Sequence, residues 1–275
     1  MAFPQATIAI TGSGGIGTSI ARRIANGRRI FLSDVSQVNL DGAAEALRRD
    51  GHTVETHLVD VSKYDQVKAF ADAAAASTAL QAVIHTAGVF PSQGSISQIM
   101  EVDLLGTANV LDAFYEVAMP GQSIVCVGSG SAHVMKEEVP LEVLDHLARA
   151  HRDALLSHPA IQATVSPLLA YQIAKRGSLA RVQLMAKEFG LKGARVNIIS
   201  PGMIATERGR LELEGDMLRA YIEMLTKECA IDRLGTVYDV SNLVEFLVSD
   251  RASFISGADV VVDGGVAAAQ RWKRE

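Results

Sequence analysis

The stretch Thr7-Ile8-Ala9-Ile10-Thr11-Gly12-Ser13-Gly14-Gly15-Ile16-Gly17 predicts the fold of the chain. A short β-branched run leads into a glycine turn, and the residues from Ala21 to Ala25 that follow are typical of a helix. Glycines at Gly12, Gly15 and Gly17 permit a tight turn and a close approach to a pyrophosphate, whose charge the helix N-terminus receives. A plain glycine-rich turn would look similar, but the strand-to-helix context favours dinucleotide binding.

A second predicted strand begins at Arg29 and ends at Asp34, about 20 residues beyond the glycine turn. A carboxylate there can accept hydrogen bonds from ribose hydroxyls and would repel a 2′-phosphate. Asp34 or Ser36 could also serve as an ordinary helix N-cap, and the two roles are compatible. Arg29 opens the strand at the end remote from Asp34, so we expect NAD as cofactor, with NADP as the alternative.

Strand-like and helix-like segments alternate along the chain without a linker, a repeat or a low-complexity segment. Further strands are predicted at 53–59, 80–85, 123–127, 194–199 and 259–262, and helices at about 64–76, 97–118 and 171–189. This alternation specifies an α/β fold with a Rossmann-type, doubly wound parallel sheet and ligands at the carboxyl ends of the strands. At 275 residues the chain is predicted to form a single domain, 1–275.

Composition argues against several classes of partner. The net charge of −5 gives no overall field for nucleic acid or an anionic membrane. Cys126 lies in an apolar run and Cys229 is far from it in sequence, so no disulfide framework is implied. The N-terminus lacks a basic segment followed by an apolar stretch, and no apolar run approaches membrane-spanning length. We therefore expect a soluble, cytoplasmic protein that binds neither nucleic acid nor membrane.

Tyr171 and Lys175 are four residues apart in a run typical of helix, so their side chains project from one face. A phenol with a pKa of about 10 is a poor acid or base at neutral pH, and a nearby ammonium favours the phenolate. Reduction of a carbonyl needs a proton donor at oxygen and oxidation of an alcohol needs the reverse, so one acid/base group serves both directions. The spacing alone arises easily by chance, and other motifs must support it.

Six ordered motifs resemble those of the short-chain dehydrogenases/reductases, and the resemblance covers almost the whole chain. The motifs are Thr11 to Gly17, Asp60-Val61, Thr86-Ala87-Gly88, Tyr171 to Lys175, Ser200-Pro201-Gly202 with Thr206, and Phe254 to Gly257 with Val262 to Gly265. The resemblance implies hydride transfer between NAD(H) or NADP(H) and a small-molecule alcohol or carbonyl.

The resemblance also implies site residues. The catalytic candidates are Ser129, Tyr171, Lys175 and Asp103, with Ser131 as the alternative to Ser129. The candidates for cofactor binding are Gly12, Ser13, Gly15, Ile16, Gly17, Asp34, Asp60, Val61, Thr86, Ala87, Gly88, Tyr171, Lys175, Pro201, Gly202, Ile204 and Thr206.

Three positions depart from the family pattern. The glycine loop is one residue shorter than usual, and Thr86 offers a hydroxyl where the family usually has an amide. Asp103 stands in place of an asparagine, where it could pair with Lys175 and weaken its effect on Tyr171, or act only through its backbone carbonyl. Asp103 and Thr86 suggest an alternative function, a cofactor-binding sensor or scaffold with weak catalysis, whereas the intact Tyr171 and Lys175 favour an enzyme.

A segment at about 133–167 is longer than the usual connection and resembles an insertion in members related to 3α-hydroxysteroid dehydrogenase/carbonyl reductase. Its pattern is helical and amphipathic, and it follows the catalytic strand, so we expect a substrate lid or a subunit contact. The histidines in it have no spacing that completes a coordination shell, and we expect no metal site. A second segment, at about 205–220, resembles the family's substrate loop, and its apolar residues favour an apolar or alicyclic substrate.

Members of the family commonly pair through two helices, here 97–118 and 170–189, and through the last strand. The apolar residues that we expect at the surface of these helices are Val110, Phe114, Val117, Leu179, Val182, Leu184 and Met185. They predict an isologous homodimer or a homotetramer, unless the segment 133–167 covers the same faces within one chain.

Overall fold

A parallel sheet of seven strands forms the centre of the molecule. The computed structural model describes residues 6–77, 79–135, 138–206, 223 and 227–272. The strands are β1 (Thr7–Thr11), β2 (Arg29–Asp34), β3 (Thr53–Leu58), β4 (Leu80–His85), β5 (Ser123–Val127), β6 (Arg195–Pro201) and β7 (Asp259–Val262). Their order is β3-β2-β1-β4-β5-β6-β7, and every neighbouring pair is parallel. The prediction of a Rossmann-type, doubly wound sheet is confirmed.

Helices cover both faces of this sheet. They are α1 (Gly15–Ile24), α2 (Gln37–Arg49), α3 (Tyr64–Ser77), α4 (Ile96–Ile99), α5 (Gly106–Glu116), α6 (Leu141–Arg149), α7 (Arg152–Leu155), α8 (Pro159–Gln162), α9 (Pro167–Leu191), α10 (Val237–Val248) and α11 (Val266–Arg271). One core cluster packs α3, α5 and α9 against the sheet, and another packs α1, α2 and α10 against the opposite face. Because both faces are covered, the central strands are buried runs of mostly apolar residues.

The order of the strands places the functional cleft. The chain leaves β1 toward β2 and β3 on one side and returns to β4 on the other, so a crevice opens between β1 and β4 at their carboxyl ends. A cleft of about 1740 Å³ runs along these strand ends. None of the described helices has the length and apolar composition needed to cross a membrane.

One helix differs from the prediction in a way that concerns the site. The segment predicted as a single helix at 97–118 consists of α4, a π-helical segment (Met100–Leu105) and α5. The π segment contains Asp103, and π turns within helices are frequent at functional sites. Apolar periodicity does not distinguish a π turn from an α-helix, which is why the sequence predicts a single helix.

The segment predicted as an insertion, at about 133–167, packs on the helix that carries Tyr171. A third core cluster joins residues of α6, α7 and α8 to residues of α9, among them Leu147, Leu155 and Tyr171. Gly177 on α9 makes the close approach possible, because a Cβ there would lie 3.1 Å from the Cβ of Leu147. The insertion thus covers part of the surface of α9 within one chain.

Most of the apolar residues that we expected at the surface of α5 and α9 are buried. Val110, Phe114, Leu179 and Val182 are buried within the chain itself, so the expectation that a monomer exposes them is wrong. Their side chains fill the core between the sheet and these two helices. The prediction of an oligomer therefore has to rest on other surfaces.

Candidate active site

The glycine loop between β1 and α1 lies against the end of β4. Gly12 adopts a φ of 93°, and a Cβ there would lie 2.6 Å from the Thr86 hydroxyl oxygen and 2.7 Å from the Ala87 nitrogen. A Cβ at Gly17 would collide with the carbonyl oxygen of Gly12. The N-cap of α1 is Gly14, and no side chain caps this helix end, which borders the cleft. These features fit the close approach of a pyrophosphate.

Asp34 stabilises the glycine loop through hydrogen bonds. The backbone N–H and the hydroxyl of Ser13 both donate to Asp34 Oδ2, at 2.8 and 2.9 Å. Asp34 Oδ1 accepts from the Ser36 N–H at 2.9 Å, and Ser36 is the residue that caps α2. Of the two cap candidates, the structure selects Ser36, while Asp34 lies at the wall of the cleft.

Thr86 also holds the loop. Its hydroxyl donates to the carbonyl oxygens of Thr11 and Gly12 at 2.9 and 3.0 Å. Asp60 Oδ1 accepts from the Ser62 N–H at 2.9 Å, which forms a turn beyond β3. Val61 is buried beside α5. The predicted cofactor residues from the ends of β1 to β4 all border the same cleft, together with Ala87 and Gly88.

Tyr171 and Lys175 lie buried on α9 at the floor of the cleft. The Lys175 ammonium is 5.3 Å from the centroid of the Tyr171 ring. The ring of Phe90 stacks against Tyr171, with centroids 6.2 Å apart and an angle of 24° between the planes. The predicted pair therefore shares one site with the glycine loop.

Asp103 forms an ion pair with Lys175. Asp103 Oδ1 lies 2.7 Å from Lys175 Nζ, and Oδ2 accepts from the Val89 N–H at 3.1 Å. Burial by itself would lower the pKa of Lys175, but the charges of Asp103 and Tyr171 outweigh it, and the pKa of Lys175 lies above its ordinary value. Gly88 leaves room for the pair, because a Cβ there would lie 2.7 Å from Asp103 Oδ1.

The backbone carbonyl of Asp103 accepts two hydrogen bonds inside the protein. The hydroxyls of Thr107 and Ser178 donate to it at 2.7 and 2.9 Å. His85 bridges the Thr11 and Thr107 hydroxyls, at 2.7 and 3.1 Å. Burial and the charge of Lys175 lower the pKa of His85 to about 3, so its imidazole is neutral. Sequence reasoning did not find this bridge, although a histidine and a threonine inside buried elements were the available signal.

The two candidate serines follow β5 on a short turn, a 3₁₀ helix (Gly130–His133) with Ser129 as its N-cap. Ser129 Oγ accepts from the Ser131 N–H at 3.2 Å, and both residues border the cleft. His133 Nε2 lies 2.7 Å from Asp259 Oδ2, and Asp259 Oδ1 accepts from the Ser200 hydroxyl at 2.8 Å. The turn is thus joined to β6 and β7, and both serines remain candidates.

The end of β6 forms the opposite wall of the cleft. The Gly202 N–H donates to the Val262 carbonyl at 2.9 Å, and Ile204 forms an isolated bridge with Gly235. Thr206 lies over the glycine loop, because a Cβ at Gly15 would be 3.6 Å from its Cγ2. The residues of this segment that border the same cleft as the glycine loop are Pro201, Gly202, Met203, Ile204 and Thr206. The predicted substrate loop beyond Thr206 lies outside the described residues, as do positions 136–137 of the insertion.

Metal ligands do not cluster in the part of the chain that the structure describes: no three or more His, Cys, Asp or Glu side chains there could hold an ion together. His146 and His158 of the insertion approach each other, with ring centroids 4.7 Å apart. The Nε2 of His146 interacts with the Leu155 carbonyl at 3.0 Å, which stabilises the insertion.

Comparison with known proteins gives consistent matches along the chain. Residues 6–141 match the family model for short chain dehydrogenase, and residues 154–267 match that for Enoyl-(Acyl carrier protein) reductase. The short-chain dehydrogenase/reductase bsc3 of Alternaria brassicicola is 32% identical over 265 residues, 96% of this chain and 96% of that protein. Cis-4-hydroxycyclohexanecarboxylate dehydrogenase of Sinomonas cyclohexanicum is 27% identical over 280 residues, 97% of this chain and 98% of that protein.

Solved structures of the same family and fold also superpose on this chain. A short-chain type dehydrogenase/reductase from Mycobacterium ulcerans superposes with a TM-score of 0.76 at 26% identity, over 98% of this chain and 92% of that chain. Structures with the same fold include a 3-oxoacyl-[acyl-carrier protein] reductase from Brucella melitensis with bound NAD (TM-score 0.69, 23% identity, 94% and 90% covered). They also include a variant actinorhodin polyketide ketoreductase with NADPH (TM-score 0.76, 19% identity, 97% and 99% covered). The fold itself accommodates either nicotinamide cofactor.

Proposed function

The chain belongs to the short-chain dehydrogenase/reductase family, and on this premise we propose that it interconverts an alcohol and a carbonyl by hydride transfer with NAD(H). The single observation that carries the proposal is the buried pair of Tyr171 and Lys175 in the cleft that the glycine loop borders. An acid/base group and a nucleotide-binding loop in one cleft are what such a reaction requires.

The residues of the cleft fit a dinucleotide. The loop from Gly12 to Gly17 and the uncapped N-terminus of α1 would hold the pyrophosphate. Asp34 would bind the ribose next to the adenine, whose ring Asp60 and Val61 would border, and Lys175 would bind the second ribose. When bound, the nicotinamide supplies or accepts the hydride.

The charge at Asp34 supports NAD rather than NADP. A 2′-phosphate on the adenosine ribose would meet this carboxylate without a free cation to offset it among the described neighbours. Arg22 borders the same cleft, but its guanidinium forms an ion pair with Asp50 at 2.7 Å. We infer that NADP binds more weakly.

Tyr171 is the proton donor in the reductive direction. The O–H bond of the phenol breaks as a new O–H bond forms on the substrate oxygen, at the same time as hydride reaches the substrate carbon. The hydroxyl of Ser129 or Ser131 donates a hydrogen bond that orients this oxygen. In the oxidative direction the phenolate accepts the proton of the alcohol.

The cleft suits a neutral, apolar or alicyclic substrate. Its described wall near Tyr171 includes Val89, Phe90, Leu168 and Met203, and Phe90 presents a flat apolar face beside the tyrosine. An aliphatic ring can pack on such a surface with its oxygen toward Tyr171.

The alternative function, a cofactor sensor with weak catalysis, is favoured by one observation. Asp103 Oδ1 lies 2.7 Å from Lys175 Nζ, and a carboxylate at this distance would weaken the activation of Tyr171 by Lys175. Oxidation of NADH against a panel of ketones, aldehydes and quinones separates the two functions. An enzyme turns over at least one carbonyl class, whereas a sensor binds NADH and consumes none of them.

The test of the chemistry is Tyr171→Phe, assayed on a carbonyl substrate from this panel. We expect turnover to fall by at least about 100-fold, because the variant lacks the hydroxyl that transfers the proton. Cofactor affinity should stay nearly constant. Tyr238→Phe is the matched control, since Tyr238 is exposed on α10 and should leave turnover unchanged. Near-normal turnover in Tyr171→Phe would show that another group is the acid/base.

A further inference from the structure

Position 103 contributes a charge to the interior of the site. The side chains of Asp103 and Lys175 are 0% and 6% exposed, and their charged atoms are 2.7 Å apart. Charges interact strongly where water is excluded, so each of them acts on the neighbouring Tyr171 ring. The ammonium favours the phenolate form of Tyr171, and the carboxylate disfavours it.

The local structure directs the carboxylate of Asp103, and not its backbone, toward Lys175. The backbone carbonyl already accepts from the hydroxyls of Thr107 and Ser178. The carboxylate contacts Lys175 and the Val89 N–H instead. The π turn at this position and Gly88 on the other side leave the space for the pair.

Other ionisable groups close to the pair are uncharged at neutral pH. Burial and the Lys175 charge lower the pKa of His85 on β4 to about 3. Burial raises the pKa of the Cys126 thiol on β5 to about 12. Neither His85 nor Cys126 therefore adds a charge beside the pair of Lys175 and Asp103 at neutral pH.

Two more ionisable side chains belong to elements that pack near α9, and each is engaged elsewhere. Glu101, on the same π segment, accepts from the Ser97 hydroxyl at 2.8 Å. His133, on the turn after β5, pairs with Asp259 at 2.7 Å. Neither contact joins the pair of Asp103 and Lys175.

We propose that Asp103 offsets the charge of Lys175 and thereby keeps Tyr171 protonated to a higher pH than a neutral residue at position 103 would. The proposal rests on the proposed role of Tyr171 as acid/base. Asp103 is thus a residue that acts through its electrostatic field on Lys175 and Tyr171, without contact to the substrate. Reduction, which uses the phenol, then persists to a higher pH, and oxidation, which uses the phenolate, requires a higher pH.

The direct test measures the ionisation of Tyr171 in the protein without cofactor or substrate. Tyrosinate absorbance is followed against pH, and the same titration of Tyr171→Phe is subtracted to isolate Tyr171 from the other tyrosines. In Asp103→Asn, which keeps the shape and an acceptor for the Val89 N–H, we expect Tyr171 to titrate roughly one pH unit lower than in the wild type. Titration at the same or a higher pH would overturn the proposal.

Asp103→Asn leaves Lys175 as a buried cation without its counter-ion, which can destabilise the fold, so a double variant is measured as well. Asp103→Asn combined with Lys175→Met removes both charges. We expect Tyr171 in the double variant to titrate close to its wild-type position, because the two effects cancel. If Tyr171 in the double variant titrated at the lower pH expected for Asp103→Asn alone, the role of charge would be contradicted.

Ser178→Ala is the matched control for the backbone. It removes a hydrogen bond to the Asp103 carbonyl and leaves the carboxylate in place. Tyr171 in Ser178→Ala should titrate at the same pH as in the wild type. A shifted titration in Ser178→Ala without a shift in Asp103→Asn would show that position 103 acts through its carbonyl.

Turnover in the reductive direction provides a second readout. In Asp103→Asn the alkaline limb of its pH profile should move to lower pH by the same amount as the Tyr171 titration. A displaced absorbance titration in a protein that reduces no member of the panel would support the charge effect and reject the proposed function.

Discussion

At the scale of single residues, Asp34 stabilises the fold at the place where we expect the cofactor ribose to bind. Its carboxylate accepts two hydrogen bonds from Ser13 and one from Ser36, so it fixes the glycine loop and the entry into α2. The same carboxylate lies at the wall of the cleft. The sequence indicated the position of the charge, but it could not indicate the Ser13 contact, which depends on the path of the shortened loop.

We expect the wild-type protein to bind NAD(H) more tightly than NADP(H), as measured by titration with both cofactors. Asp34→Ala combined with Val35→Arg should narrow the difference by about tenfold or more, because it removes the repulsive charge and supplies a cation beside the 2′-phosphate. Val35 is exposed at the rim of the cleft, so an arginine fits there.

Ser13→Ala provides the control for this prediction. It removes one hydrogen bond to Asp34 and retains the charge, so it should weaken both cofactors by a similar factor. Equal or tighter binding of NADPH by the unmodified protein would mean that Asp34 acts only as a structural residue.

Some features of the site follow from local helix geometry, and others depend on packing between distant residues. The motif predicted that Tyr171 and Lys175 share one helix face, since α-helical spacing is fixed. For Asp103 the sequence left two alternatives, the carboxylate and the carbonyl. In the structure the carboxylate lies against Lys175, while the carbonyl accepts from the hydroxyls of Thr107 and Ser178. Contacts between residues that are distant in the chain depend on packing, which a single sequence does not specify.

At the scale of elements, the turn after β5 is held by a contact that no motif predicted. His133 at the end of the turn pairs with Asp259 of β7, and Asp259 in turn accepts from Ser200 of β6. Strand and helix positions followed from hydrophobic periodicity, whereas this turn depends on three polar residues from three parts of the chain. The contact fixes the segment that presents Ser129 and Ser131 to the cleft.

We expect His133→Ala to lower turnover by roughly tenfold to a hundredfold, because small displacements of an orienting hydroxyl are costly in the transition state. Cofactor affinity should change less than turnover, since His133 itself does not border the cleft. Steady-state kinetics and cofactor titration provide the two measurements. His133→Gln, whose amide can still donate to Asp259, should retain most of the turnover.

His151→Ala is the control at the same scale. His151 is exposed, caps α7 and pairs with the neighbouring Asp153, so turnover should be unchanged. If His133→Ala lost cofactor affinity and turnover equally, or lost neither, the turn would not be positioned by His133.

At the scale of the whole molecule, the burial of apolar side chains bears on the predicted oligomer. The insertion covers part of α9, and four of the apolar residues expected at a helical interface are buried in the chain's own core. The sequence could not predict this burial, because the same apolar residue is compatible with cover by a partner subunit or by the chain's own core. The last strand, β7, remains at the edge of the sheet, with Val261 39% exposed and Phe254 fully exposed nearby.

We therefore expect an isologous dimer formed through the edge of β7, while a tetramer would need a second interface on α5 and α9. An edge strand with partly exposed apolar side chains is a ready surface for pairing, and a two-fold axis lets the same strand serve both copies. Light scattering at micromolar concentration should give at least twice the chain mass.

Phe254→Asp or Val261→Lys should reduce the measured mass to that of one chain, because each places a charge at the contact. Leu184→Asp, on the partly exposed side of α9, should leave the mass unchanged. A strictly monomeric wild-type protein would refute the oligomer, and dissociation by Leu184→Asp alone would place the interface on α9 despite the insertion.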